Sequence, residues 1–259
     1  MPIQLTPDRS LAAMIAETDR PLVGAWSSLG SSLAAEILAG SGLDVVVVDG
    51  EHGPNDLTTI LGQLQATAAY PVATLVRVPY GDPVVLKQVL DLGATNVLVP
   101  MVDGVEQAEG VVRAVRYPPA GIRGVGSALA RSARWNRVPD YVTTADAGVT
   151  LVVQLETRAA VADAREIAAV DGVDAVLVGP ADLAASMGHP GEQEHPDVVD
   201  AVLATVAACR DVGTPVGVNA FTPAMADRYL DAGAAFVLVG ADALLIARGA
   251  EALAERYAR

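Results

Sequence analysis

The chain has 259 residues and a net charge of −14, because 31 Asp and Glu residues outnumber 17 Lys and Arg residues. Such an acidic protein lacks the basic surface that binds a nucleic-acid backbone or an anionic membrane, which argues against both as partners. The first 13 residues lack the long apolar core of a signal peptide, and Cys209 is the sole cysteine. We therefore expect a cytoplasmic protein without disulfides, built as one domain over residues 1–259.

A glycine followed by a short apolar run recurs four times, at residues 42–49, 93–100, 172–179 and 233–240. Each run is continuous rather than alternating, which is typical of parallel strands buried on both faces. Each glycine follows a helical stretch and is expected to end that helix in the left-handed conformation. Further apolar runs complete a set of eight predicted strands: residues 22–26, 71–78, 149–155 and 215–219.

Helical segments separate these runs. Asp82 and Pro83 have the form of a helix N-cap and first helical position, and similar helical segments cover residues 158–170, 196–212 and 223–232. Eight alternations of strand and helix predict an α/β fold, a (β/α)8 barrel. An open doubly wound sheet is the alternative.

Two other segments belong to the predicted barrel. A helix at about Asp8–Thr18 is expected to close its lower end, where the strands begin. Residues 117–141 form the longest loop, and long loops in compact domains are usually functional or disordered. The glycines of residues 121–126 follow no strand and lack the spacing of a dinucleotide fingerprint, which favours the barrel over the open sheet.

In such a barrel the chemistry lies where strands run into the loops that follow them. Gln154 and Glu156 are two residues apart on the fifth strand, so their side chains point to the same side. Asp182 follows the sixth strand and is expected within reach of Glu156. This set of oxygen ligands suits Mg²⁺ or Mn²⁺ better than zinc. A structural ion pair, or an N-cap role for Asp182, is the alternative.

Charged side chains also end the second and third strands. His52 follows Asp49 and Glu51, a position that favours a general acid or base. Arg77 either clamps an oxyanion or a carboxylate, or forms a salt bridge with Asp49 or Glu51. Lys87 is the only lysine and is expected in the outer helix after the third strand, which argues against a Schiff base.

Two further histidines and the two tryptophans are not expected to take part in the chemistry. His189 and His195 lie in one loop and are expected to be exposed, and a zinc site that joins them to His52 is not expected. Trp26 and Trp135 are expected to pack in the core or line a pocket. Asn219 and Asp242 end the seventh and eighth strands.

Several of these segments together resemble the HpcH/HpaI family of class II, metal-dependent pyruvate aldolases. The resemblance extends from about Gly24 to the C-terminus, and its most specific segments are residues 48–56 and 116–126. The family implies a barrel of the phosphoenolpyruvate/pyruvate type. It also implies a homohexamer, a trimer of dimers in which the last helix, about residues 241–257, packs on a neighbouring subunit. The other matching segments are Arg77 with Asp82-Pro83, residues 98–101, residues 154–156 and residues 178–183.

The resemblance implies a metal site and a base. Glu156 and Asp182 would ligate a divalent ion, Mg²⁺, Mn²⁺ or Co²⁺. Gln154 would lie beside the ion, and with Asp182 it would also contact the substrate. His52 would be the base, acting through a metal-bound water, and Asp91 would orient it.

The resemblance also implies how the substrate is held. Arg77 would hold the ketone oxygen and stabilise the enolate, with Asp49 and Glu51 as its support. Backbone groups around Ala181 would hold the pyruvate carboxylate. Arg123 matches the loop arginine of the family, to which no role is assigned.

The implied reaction is the reversible retro-aldol cleavage of 4-hydroxy-2-oxo acids through a metal-bound pyruvate enolate. Its products would be an aldehyde and pyruvate, or a keto acid such as hydroxypyruvate, as in the catabolism of aromatic compounds. Cleavage of 2-keto-3-deoxy sugar acids and citrate-lyase-β-like cleavage of acyl-CoA thioesters are the alternatives. A barrel that only binds keto acids is a non-enzymatic alternative. The aromatic content of 4% and the acidic charge offer little to bind CoA.

Overall fold

The centre of the computed structural model, which describes residues 9–258, is a closed barrel of eight parallel strands. The strands follow one another around the barrel in chain order, and the first pairs with the last to close it. The predicted (β/α)8 barrel and its eight predicted strands are confirmed. The strands are β1 (Leu22–Ser27), β2 (Val45–Asp49), β3 (Ala73–Arg77), β4 (Asn96–Val99), β5 (Thr150–Leu155), β6 (Ala175–Val178), β7 (Val216–Asn219) and β8 (Phe236–Ala241).

Helices connect successive strands on the outside of the barrel, and two further helices precede the first strand and follow the last. They are α1 (Leu11–Glu17), α2 (Ser32–Ala39), α3 (Leu57–Thr67), α4 (Pro83–Asp91), α5 (Val105–Val115), α6 (Tyr141–Thr144), α7 (Arg158–Ala162), α8 (Ala164–Ala168), α9 (Pro180–Met187), α10 (Pro196–Asp211), α11 (Pro223–Asp231) and α12 (Asp242–Tyr257), with a 3₁₀ helix at Ala145–Gly148. Asp82 caps α4 as predicted, since its side chain accepts from the N–H groups of Val84 and Val85. The single helix predicted at residues 158–170 is two helices, because the backbone of Asp163 leaves the helical conformation.

The four glycines that precede apolar runs have the predicted left-handed backbone. Gly93 and Gly233 directly follow the C-cap residues of α4 and α11, as predicted, whereas Gly42 and Gly172 lie two and three residues beyond the C-caps of α2 and α8, in the turns that follow. Gly42, Gly93, Gly172 and Gly233 have φ values of 92°, 98°, 101° and 95°, a conformation that glycine adopts without steric cost. Each places the next strand at the lower end of the barrel.

The side chains of β5 alternate between two cores. Leu151, Val153 and Leu155 pack in the layer between the barrel and its helices, whereas Val152 belongs to the cluster inside the barrel. This alternation confirms the predicted direction of the even-numbered side chains, which point inward toward the upper end, where the strands finish.

Helix α1 closes the lower end of the barrel. The backbone N–H of Leu11 donates to Oδ1 of Asn96 at 2.7 Å, and Nδ2 of Asn96 donates to the carbonyl of Arg9 at 2.9 Å. Leu11 and Met14 join the apolar cluster inside the barrel. The predicted closure is confirmed, although Asp8, at the predicted start of the helix, lies outside the described residues.

The longest loop, residues 117–141, also belongs to the lower end. It follows α5, which runs from the upper to the lower end, and precedes β5, which begins there. Residues from this loop are therefore far from the upper end of their own barrel. Among residues 9–258, no helix combines the length and the apolar character needed to cross a membrane.

Inside the barrel, one position depends on a glycine. Gly217 on β7 pairs in register with Phe236 on β8, and a Cβ at Gly217 would lie 2.2 Å from the Phe236 ring. Phe236 is fully buried among the interior side chains, so its ring has little room to move away. The pair follows the alternation of small and large residues that fills a barrel.

We expect Gly217→Ala to destabilise the protein by roughly 1–3 kcal/mol, because the added methyl group overpacks the interior. Gly110→Ala is the matched control, since its Cβ would meet only the Arg113 side chain at 4.0 Å in the middle of α5. That change should stabilise the helix by up to about 1 kcal/mol. Urea unfolding of both variants measures the difference, and equal stabilities would contradict the packing argument.

Candidate active site

Arg77 is the charged side chain around which the upper end of the barrel is organised. It ends β3 in register with Asp49, which ends β2. Its Nε and Nη2 donate to the two carboxylate oxygens of Asp49, at 2.9 and 2.7 Å. Its Nη1 lies 2.8 Å from Oε2 of Glu51, and its guanidinium lies 4.2 Å from the centroid of the Trp26 ring. The salt bridge considered for Arg77 is therefore present, and these contacts leave other guanidinium N–H groups for a ligand.

Asp49 and Glu51 respond differently to this arginine. Burial acts to raise the pKa of Asp49, but the hydrogen bonds and the charge of Arg77 outweigh it and hold that pKa below its ordinary value. Burial also acts on Glu51, where it prevails over the attraction of Arg77, so the pKa of Glu51 is raised. Asp49 is thus the main counterion of Arg77, whereas the charge of Glu51 is less well compensated.

Gln154 and Glu156 form a second part of the site at the end of β5. Both are buried, and Nε2 of Gln154 donates to Oε2 of Glu156. The backbone N–H of Met101 donates to Oε1 of Glu156 at 2.9 Å. A Cβ on Gly179, after β6, would lie 2.7 Å from Oε2 of Glu156, so a glycine at that position leaves room for the carboxylate. The neighbouring strands thus hold Glu156 in one position.

The pKa of Glu156 is raised to about 7, and its burial is the largest cause. The hydrogen bonds from Gln154 and Met101 act in the other direction, and the charges of Asp182 and Glu51 raise the pKa further. Within the described part of the chain, no basic side chain forms an ion pair with Glu156. A buried carboxylate without a counterion is costly, so this position favours a bound cation.

The donor set at these strand ends fits a hard divalent cation. Oε1 of Gln154 is a buried oxygen that accepts no hydrogen bond from the described residues. Oε2 of Glu51 is also buried, and it lies 2.8 Å from Nη1 of Arg77 without a well-aligned hydrogen bond. Asp182 is exposed in the first turn of α9, and its charge acts on the pKa values of both Glu156 and Glu51. Carboxylate and amide oxygens are the ligands that Mg²⁺ and Mn²⁺ prefer.

The first turn of α9 also offers backbone donors. Gly179 is its N-cap, so the alternative N-cap role for Asp182 is wrong. Pro180 has no N–H, and the N–H groups of Ala181 and Asp182 have no acceptor within the helix. Such groups at the positive end of a helix bind carboxylates and phosphates.

His52 lies at the rim of this site. The side-chain oxygen Oδ1 of Asp49 accepts from the backbone N–H groups of Glu51 and His52, at 3.0 and 3.2 Å, and so fixes the turn after β2. Nε2 of His52 lies 3.7 Å from Oε2 of Glu51, and the His52 side chain is 66% exposed. The imidazole can therefore reach a ligand at the barrel mouth.

Asp91 and Arg123 form a separate pair at the lower end. Asp91 ends α4, and Nη2 of Arg123 donates to its Oδ1 at 3.0 Å. The Arg123 side chain is fully buried and its guanidinium lies 4.4 Å from the centroid of the Tyr117 ring. The expectation that Asp91 orients His52 is therefore not met within one chain, because α4 carries Asp91 away from the upper end.

Two other strand-end residues are structural. Asp242 accepts from the backbone N–H groups of Ser28 and Leu29, at 2.9 and 3.2 Å, and from the Ser28 hydroxyl at 2.9 Å. Oδ1 of Asn219 accepts from Nε1 of Trp26 at 2.9 Å, which holds the indole beneath Arg77.

A sequence profile of the HpcH/HpaI aldolase/citrate lyase family matches residues 22–248. The chain belongs to this family. The match spans the whole barrel, from β1 into α12. The HpcH/HpaI resemblance of the sequence is thus confirmed.

Individual family members are similar over nearly the whole chain. A protein of Klebsiella pneumoniae subsp. pneumoniae, named 4-hydroxy-2-oxo-heptane-1,7-dioate aldolase, is 53% identical over 92% of this chain and 90% of its own length. A protein of Salmonella dublin with the same name is 50% identical over the same shares. The crystal structure of an HpcH/HpaI family protein from Burkholderia cenocepacia J2315 has a TM-score of 0.92 and 39% identity, over 96% of this chain and 99% of that one.

Sequence reasoning missed two contributors to this HpcH/HpaI site. Trp26 was expected only to pack or to line a pocket, and it is the platform on which Arg77 stacks. Met101 belongs to one of the segments that resemble the family, residues 98–101, and the sequence indicates no role for it. Its φ of 55° is rare for a residue with a side chain, and this conformation directs its N–H at Glu156. Pro100, directly before Met101, is the signal in the sequence that marks an unusual turn there.

Without metal, the protein is expected to lose stability as the pH rises, because of Glu156. The folded chain keeps the Glu156 proton up to a pH of about 7, whereas an ordinary glutamate releases it near 4.5. The loss of folding stability is absent below pH 4.5 and complete above a pH of about 7. At that point it is on the order of 3 kcal/mol. Urea unfolding in the presence of a chelator, at a series of pH values, measures it.

Glu156→Gln should flatten this pH dependence, because an amide does not titrate and Gln154 can turn its amide to pair with it. Glu166→Gln is the matched control, since Glu166 is exposed on α8. A slope that survives in Glu156→Gln would show that another group causes it.

Proposed function

We propose that this protein is a divalent-metal-dependent carbon–carbon lyase that reversibly cleaves 4-hydroxy-2-oxo acids into pyruvate and an aldehyde. The observation that carries the proposal is a buried cation and a buried carboxylate at the same end of the barrel. Arg77 is the cation and Glu156 is the carboxylate. Glu51 lies near both, since it contacts Arg77 and its charge raises the pKa of Glu156. This arrangement suits a reaction in which negative charge develops on a carbonyl oxygen.

In the cleavage direction a base removes the proton of the 4-hydroxyl group, and the C3–C4 bond breaks as the aldehyde forms. The electron pair of that bond moves onto the C2 carbonyl oxygen and gives the enolate of pyruvate, which is then protonated at C3. His52 is the proposed base, since its exposed imidazole stands at the end of β2 beside Glu51. Arg77 is the proposed donor to the enolate oxygen, through N–H groups that Asp49 and Glu51 do not occupy.

Glu156 and Asp182 are the proposed ligands of the metal, with Gln154 beside them and with Mg²⁺, Mn²⁺ and Co²⁺ as candidate ions. When bound, such an ion supplies Lewis acidity that withdraws charge from the carbonyl group. The backbone N–H groups of Ala181 and Asp182 are the proposed site for the pyruvate carboxylate.

A 4-hydroxy-2-oxo diacid is the proposed substrate, because the names of the Klebsiella and Salmonella relatives favour it over a 2-keto-3-deoxy sugar acid or an acyl-CoA thioester. A Schiff base is not part of the proposal. Lys87 lies on α4 in the outer layer, where its side chain packs near Gly124. We place the enzyme in the cytoplasm, since its one cysteine, Cys209, is buried and unpaired.

A homohexamer is the proposed assembly. On α12, the side chains of Leu245, Ile246 and Leu253 are 60–61% exposed. On the adjacent α2, Leu33 and Ile37 are each 66% exposed. An apolar face of this kind supports the proposal that a neighbouring subunit covers the last helix.

The proposed role of Asp91 then requires two subunits. Asp91 and His52 lie at opposite ends of one barrel, so Asp91 can orient His52 only when it comes from a neighbouring chain. The buried Arg123 would act indirectly, as the partner that fixes the Asp91 carboxylate.

Pyruvate release from a panel of 4-hydroxy-2-oxo acids tests the activity. A chelator should abolish it and Mg²⁺, Mn²⁺ or Co²⁺ should restore it. His52→Ala should lower kcat by roughly 10²–10⁴-fold, because it removes the base. Glu156→Ala should remove the metal response. Lys87→Arg is the control and should keep full activity; chelator-resistant activity with borohydride trapping at Lys87 would overturn the proposal.

Mixed hexamers test the two-subunit site. His52→Ala and Asp91→Asn should each be nearly inactive, but hexamers assembled from equal amounts of both should regain activity, at up to about one quarter of their sites. The matched control mixes His52→Ala with Arg77→Ala, which belong to the same end of one barrel and should not complement. If exchange of subunits is verified by mass and the first mixture stays inactive, Asp91 does not act across the interface.

A further inference from the structure

The loop between α9 and α10, residues 188–195, brings together side chains that the proposed reaction does not use. His189, Glu192 and His195 each place one ligand atom within 4.8 Å of the others. The two imidazole rings are stacked, with centroids 3.6 Å apart and 14° between their planes. Oδ2 of Asp197 lies 3.5 Å from Nε2 of His189 and 3.9 Å from Nδ1 of His195. The loop is largely exposed, as the sequence predicted, but the two histidine side chains are half-buried, at 26% and 29% exposure.

Backbone hydrogen bonds hold this arrangement. The N–H of Glu192 donates to the carbonyl of His189 at 3.0 Å, and the N–H of His195 donates to the carbonyl of Glu192 at 2.9 Å. Hydrogen bonds that span three residues align the side chains at that spacing, as in a 3₁₀ turn. The N–H of His189 also donates to the carbonyl of Ala184 on α9 at 2.8 Å, and His195 is the N-cap of α10. Both ends of the loop are therefore anchored on helices.

We propose that His189, Glu192 and His195 bind a second divalent metal ion of the zinc class, with Asp197 as a further ligand. Two imidazoles and a carboxylate are a common zinc set and suit zinc, cobalt or nickel better than magnesium. In a tetrahedral zinc site the ligand atoms are about 3.3 Å apart, as follows from the usual Zn–N distances. The ligand atoms here lie within 4.8 Å of one another, so side-chain rotations that open the ring stack would have to bring them to that spacing.

This site differs in chemistry from the proposed catalytic site. The acids at the barrel mouth offer oxygen ligands alone, whereas the loop offers two imidazole nitrogens. The two sites therefore favour different ions. The ion in the loop would join the end of α9 to the start of α10 and would stabilise that connection, without entering the reaction.

The matched variants are Glu156→Gln, which alters the barrel-mouth site, and His195→Asn, which alters the loop. Asparagine keeps the N-cap function of the metal-free protein, because its side chain can accept from the Asp197 N–H as Nδ1 of His195 does. A metal-bound imidazole has no second lone pair, so the ion would replace this hydrogen bond. His189→Gln is a second loop variant without a role in capping. Pyruvate release with Mg²⁺ should be unchanged in both loop variants.

Titration of the metal-free full-length protein with Zn²⁺ or Co²⁺ alone tests the proposal. In the Glu156→Gln background, Co²⁺ should give the intense visible absorption of a four-coordinate ion, and Zn²⁺ should raise the Tm. Adding His195→Asn or His189→Gln should remove both effects and weaken Zn²⁺ binding by about 10–100-fold or more. Equal Zn²⁺ affinity and equal Co²⁺ spectra with and without the histidines would overturn it. Because the background lacks Glu156, this result is independent of the proposed aldolase activity.

Discussion

Arg77 and Glu156 are buried with opposite charges at the same end of the barrel, and they are neutralised in different ways. Arg77 has a bidentate carboxylate, a second acid and an aromatic face around it. Glu156 has only neutral hydrogen-bond donors. Because burial of an unpaired carboxylate is costly, Glu156 either keeps a proton or gains a cation. The arrangement at the mouth follows from this difference, since a direct Arg77–Glu156 pair would leave no place for a metal.

The features that could be predicted from the sequence are those that depend on short separations along the chain. The four glycines before the apolar runs have the expected left-handed backbone, since glycine adopts it without strain. The inward direction of Gln154 and Glu156 followed from the two-residue period of a strand. Arg77 and Asp49 were candidates for a pair because they end adjacent strands, and the observed register places them side by side.

The features that could not be predicted depend on the three-dimensional path of the helices and loops between the strands. Asp91 was associated with His52 through the family resemblance alone, and the length of α4 places it at the other end of the barrel. His189 and His195 come together through two successive three-residue turns, which hydrophobic periodicity does not indicate. Trp26 acquires its role because Asn219, from a distant part of the chain, fixes the indole.

The carboxylate of Asp242 contributes to the closure of the barrel. Asp242 begins α12 and accepts hydrogen bonds from the backbone just after β1. It therefore stabilises the pairing of β1 with β8, which closes the barrel. Because Asp242 is also the first residue of α12, the same hydrogen bonds attach the start of that helix to the chain after β1. The hydrogen bonds of Asp242 therefore support both the closure of the barrel and the position of the exposed apolar face of α12. A change that breaks these hydrogen bonds affects both.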